Sequence, residues 1–87
     1  MTKRHEDLMI LSPEKRLAYF RHYYTLALAR ENASNPWVIK KLPEIVDRAV
    51  SDTLEKNIPS GEAFKKTKKF FGIKTNKELF VFLGITA

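Results

Sequence analysis

Cysteine is absent from this chain. Disulfides and cysteine-ligated zinc are thereby excluded, and the composition fits a reducing compartment. Glycine is nearly as scarce, with three residues, so no glycine-rich linker divides the chain. There is no internal repeat or low-complexity tract either. The longest apolar run of the N-terminal segment, Leu8 to Leu11, is four residues. That is too short for a signal-peptide core and far too short to cross a bilayer. The expectation is a soluble, cytoplasmic protein without a membrane partner. Asn32-Ala33-Ser34 matches a glycosylation acceptor, but without a secretory signal it carries no weight.

The residues of enzyme chemistry are also sparse. His5 and His22 are the two histidines, and neither has Cys, Asp or Glu at metal-ligand spacing. His22 follows Arg21 and has Lys15 nearby on the helix, a poor setting for a general base. Glu44, Asp47, Asp52 and Glu55 could hold Mg²⁺, but mixed-charge solvated faces have the same composition. No phosphate-binding loop, dinucleotide fingerprint or nucleophile elbow is present. The reading is a non-enzyme with no cofactor and no metal.

What the chain does have is enough apolar matter for one core. Its 87 residues are 44% hydrophobic and include six Phe, three Tyr and one Trp, which argues for a folded domain rather than a disordered tail. A chain of this size buries roughly 60% of its unfolded surface, so residues 1–87 read as one domain, with 1–11 a flexible arm or short helix. Proline and glycine divide it into helices. Ser12-Pro13-Glu14 starts one that runs to about Asn32, with Leu17, Phe20, Tyr24, Ala27 and Leu28 as its core stripe. Asn35-Pro36 starts another, read as ending near Lys41 because Pro43 disfavours helical backbone at Leu42. A longer, kinked helix is the alternative. Trp37 is expected to plug the core. From Pro43 onward Ile45, Val46, Ala49, Val50, Thr53 and Leu54 form a regular stripe. Asn57–Gly61 is a loop, Ser60 caps a helix reaching Phe71, and Gly72 stops it. Thr75 to Glu78 is a capping box for a last helix, in which Thr75 and Glu78 satisfy each other's N–H groups. The fold class is all-α, a small bundle of about five helices.

Net charge is +6, unevenly placed. Residues 61–87 hold six Lys against two Glu. At 100° per residue, Lys65, Lys66, Lys68 and Lys69 share one arc of a helix, and Lys74 and Lys77 extend it. Such an arc can meet successive phosphates and release counterions. The bland reading is a solvated face.

Residues 69–86, "KFFGIKTNKELFVFLGIT", resemble the first part of the helix-turn-helix domain of phage CI-type repressors. The matching positions are Gly72, Ile73, Thr75, Glu78, Leu79, Leu83, Gly84 and Ile85. The resemblance implies DNA binding, transcription regulation and a phage-like origin. The sequence stops at Ala87, within the turn, so a recognition helix is absent and no base-reading residue carries over. DNA ranks ahead of RNA as the expected partner, through phosphates.

The alternative is a helical interaction module, of the phage or plasmid inhibitor or adaptor kind, that modulates a larger protein. Tyr19, Tyr23, Leu26 and Arg30 recur along one helix as a second stripe, read as roughly opposite its core face. Tyrosine and arginine anchor protein interfaces, so the stripe is a candidate surface for an acidic partner or a second copy. The competing reading is a central helix packed on both sides.

Overall fold

A computed structural model of the chain describes residues 5–85. They form five α-helices with no strand among the described residues: α1 (His5–Leu8), α2 (Pro13–Glu31), α3 (Pro36–Leu54), α4 (Glu62–Phe70) and α5 (Asn76–Phe82). Three helices open on the caps read from the sequence. Ser12 Oγ accepts from the Lys15 N–H at 3.4 Å, Asn35 Oδ1 from the Val38 N–H at 3.3 Å, and Thr75 Oγ1 from the Glu78 N–H at 3.1 Å. Each bond satisfies a donor that the first helical turn leaves unpaired. The box at α5 closes differently from the expectation. Glu78 Oε2 accepts from the N–H of Lys74, at 3.1 Å, rather than from Thr75. The cap of α4 is a correction too: Gly61, not Ser60, stands at the N-cap, and no side chain bonds there.

Three helices share one ending. After α4 the N–H of Ile73 reaches Lys68 C=O at 2.9 Å and that of Gly72 reaches Lys69 C=O at 3.0 Å. After α5, Ile85 reaches Phe80 at 2.8 Å and Gly84 reaches Val81 at 3.2 Å. After α3, Asn57 reaches Asp52 at 2.8 Å and Lys56 reaches Thr53 at 2.9 Å. This bond pair requires a left-handed residue at its turn. Gly72 (φ 75°) and Gly84 (φ 72°) supply it without strain, whereas Lys56 adopts φ 64° with a side chain attached. Lys56→Gly should therefore stabilise the fold by about 1 kcal/mol, read as a higher urea midpoint with an unchanged slope.

Gly84 does a second job. A Cβ there would stand 2.7 Å from Pro13 Cβ, so the end of α5 rests on the start of α2. Gly84→Ala combines the left-handed penalty with that clash and should cost about 2 kcal/mol, seen as a lowered melting temperature.

The core lies where α2 meets α3, α4 and α5. Phe20 of α2 packs edge-on to Phe64 at 5.5 Å between ring centroids and stacks on Phe71 at 5.9 Å. Phe71 in turn meets Phe82 at 5.3 Å. Val46, Ala49, Val50, Leu79 and Leu83 complete the cluster. Leu8 is buried in it, and the His5 N–H donates to Phe71 C=O, so α1 folds back over the aromatic layer. Burial, and secondarily the charge of Glu31, pushes the Tyr24 hydroxyl above its ordinary pKa of 10.0 and keeps it neutral.

Several expectations are overturned here. α3 runs unbroken from Pro36 to Leu54, through Leu42 and Pro43. A proline inside a helix costs about 3 kcal/mol, but this one points to solvent while Leu42, Val46, Ala49 and Val50 on the other face are buried. Trp37 is 68% exposed, not a core plug, and Lys41 Nζ sits 5.5 Å over its ring. The period of α3 that buries Leu42 and Val46 turns Trp37 outward. Leu54, expected on the inward stripe, is exposed, and Ile45 is half-buried. One charged side chain is buried among the described residues, Arg16, whose guanidinium lies against Met9 Sδ.

Candidate functional site

α4 carries its lysines where the 3.6-residue period puts them. Ala63, Phe64 and Thr67 face the core, and the Thr67 hydroxyl donates to Ala63 C=O at 2.8 Å, so no polar group on that face is left unbonded. Lys65, Lys66 and Lys69 are consequently exposed, as are Lys74 and Lys77 beyond the turn. Lys68 is half-buried, and its ammonium donates to Asn76 Oδ1 at 2.9 Å. That bond ties α4 to the first residue of α5.

Four of these lysines meet across the turn. Lys65, Lys68, Lys69 and Lys74 surround an open concavity of about 360 Å³ floored by Gly72 and Ile73. The left-handed turn at Gly72 brings this about, because it reverses the chain and returns Lys74 towards the end of α4. Among the described residues, none of the six lysines forms an ion pair with a carboxylate. Glu78, the acid nearest in sequence, is engaged by the Lys74 N–H and lies 3.8 Å from His5 Nε2. Glu62, the other acid of this region, is exposed in the first turn of α4.

The tyrosine stripe is divided by the fold. α4 lies across the flank of α2 that carries it, so the stripe is beside the core rather than opposite it. Tyr23 is half-buried and packs on Phe70 at 4.2 Å between centroids, and edge-on to Phe71 at 5.5 Å. With Leu26, Arg30 and Lys66 it lines a groove of about 250 Å³ between α2 and α4. Tyr19 lines a different hollow, beside Leu11, Lys15 and His22. The structure therefore joins three residues of the stripe to one of the lysine arc and sets Tyr19 apart. Nothing in the sequence spacing announces the Arg30–Lys66 juxtaposition, since it depends on which flank of α2 receives α4.

No group of three or more His, Cys, Asp and Glu side chains suited to a metal occurs among the described residues. Of the four acids considered for Mg²⁺, Glu44, Asp47 and Asp52 lie on α3 and Glu55 is its C-cap; Asp47 pairs with Arg21 of α2, and Glu44 lies 3.9 Å from Lys41 Nζ. Among the described residues, no helix is long and apolar enough to cross a membrane. Of the residues that carry the repressor resemblance, Thr86 falls outside the described region. The others form the end of α4, its glycine turn and α5, a local structure dictated by their caps. No protein-family model, curated protein or solved structure matches this chain.

Proposed function

We propose that this protein binds nucleic acid through the phosphate backbone, without catalysis and without reading bases by hydrogen bonds. The observation that carries the reading is the concavity ringed by Lys65, Lys68, Lys69 and Lys74, none of which pairs with a carboxylate among the described residues. Grouped cations without internal partners gain most from a polyanion, because each phosphate contact releases condensed counterions. Phosphate contacts are blind to sequence. Unrelated DNA sequences should therefore bind alike, and a part in transcription regulation would rest on occupancy rather than on a specific site.

The test is a fluorescence-anisotropy titration against duplex DNA, single strands and RNA at two salt concentrations. Six contacts on duplex DNA would give a logarithmic salt slope of about −5. Absence of binding to every nucleic acid at low salt would sink the reading. The helical interaction module would then take its place, with an acidic protein surface as the partner.

A further inference from the structure

The groove between α2 and α4 lies on one flank of α4, and the lysine-ringed concavity lies on the other. Tyr23, Leu26, Ala27 and Phe70 make the groove apolar, and its two charged lining residues, Arg30 and Lys66, are both cations. Lys66 faces the groove, whereas Lys65 and Lys69, on the same helix, face the concavity. Lys69, Lys65 and Lys66 thus spread over the outer face of α4, a width of about 10 Å, where Glu62 in the first turn is the one acid of the helix.

We propose that the groove holds one unpaired base of a single-stranded nucleic acid, whose backbone crosses α4 over the lysine arc. This inference rests on the backbone-binding reading and sharpens it to a strand type. A flat aromatic base fits an apolar groove with ring carbons on its floor, and base–aromatic contact tolerates any sequence. Arg30 and Lys66 stand at the groove to meet the phosphates on either side of that base. A base within a duplex is stacked and paired, so it reaches such a groove only after being extruded. An acidic peptide would answer the two cations of the groove. Only a ligand with a charge at every repeat also answers the four lysines beyond it.

The experiment compares a short oligothymidylate with a base-free strand of the same length and sugar-phosphate backbone, at one low salt concentration. The base-bearing strand should bind the unaltered protein about tenfold more tightly, the contribution of one stacked base. In Phe70→Leu, which keeps an apolar floor but removes the ring, this advantage should shrink to about twofold or less, while affinity for the base-free strand stays put. Equal affinity of the two strands for the unaltered protein would overturn the inference and leave backbone binding standing. So would a Phe70→Leu protein that keeps the full preference. Failure of both strands to bind would remove the inference, and the reading beneath it would fall with it only if duplex DNA also failed to bind at low salt. The first comparison uses the unaltered chain, so the outcome does not hinge on how well Phe70→Leu folds.

Discussion

Phe71→Ala should remove about 3–5 kcal/mol of stability, the usual cost of truncating a phenylalanine at a fully packed site. An 87-residue domain has roughly 4–13 kcal/mol in total, so this one change should remove at least about a quarter of it. The side chain is completely buried and meets Phe20, Tyr23, Phe70 and Phe82. Its carbonyl also receives the His5 N–H, which secures α1. No neighbour is free to collapse into the space, because each is held in another ring contact of the same layer. The informative control is Trp37→Ala. Tryptophan truncations in cores cost as much as those of phenylalanine, but at 68% exposure Trp37 should shift stability by only about 0.5 kcal/mol. Urea denaturation of both variants decides the matter. A large loss at Trp37 would mean that the start of α3 is packed against something the fold described here does not place there.

Replacing Lys65 and Lys69 by glutamine should weaken binding to duplex DNA by roughly two orders of magnitude at 50 mM salt and flatten the salt slope by about 1.8. Both numbers follow from losing two phosphate contacts, each worth about 0.9 in the slope. The loss should be uniform across unrelated sequences, since phosphates carry no base information. Helicity and melting temperature should hardly move. Both side chains are exposed, opposite the Ala63, Phe64 and Thr67 face, and neither pairs with an acid among the described residues. Lys68→Gln is a useful contrast. Its ammonium already donates to Asn76, so the change removes a link between α4 and α5 as well as a charge. Affinity and stability should fall together there, whereas at Lys65 and Lys69 affinity should fall alone. A sequence-dependent loss in the double variant would show that one of the two lysines reaches a base edge.

These expectations depend on different parts of the information in the chain. The helix starts at Ser12, Asn35 and Thr75 and the stops at Gly72 and Gly84 were legible because caps are local. A hydroxyl, a carboxamide or a missing Cβ acts on backbone groups two to four residues away, whatever the rest of the chain does. The lysine arc was legible for the same reason, as helical period alone separates it from Phe64 and Thr67. Local rules failed wherever they competed with burial. Pro43 reads as a break, but the apolar face of α3 outweighs its cost. Lys56 carries no local signal for left-handed backbone, but the turn out of α3 places it there. Trp37 reads as core, but the register set by Leu42 and Val46 leaves it outside. The separation of Tyr19 from Tyr23 and the meeting of Arg30 with Lys66 lay beyond any local rule. Interactions confined to a few residues were enough to dictate an all-helical chain, the ends of most of its helices and one basic face. Which flank of α2 receives α4, and hence whether the basic face adjoins an apolar groove, was decided only in three dimensions. There the Phe20, Phe64 and Phe71 rings must share one buried volume, and that requirement orients the helices.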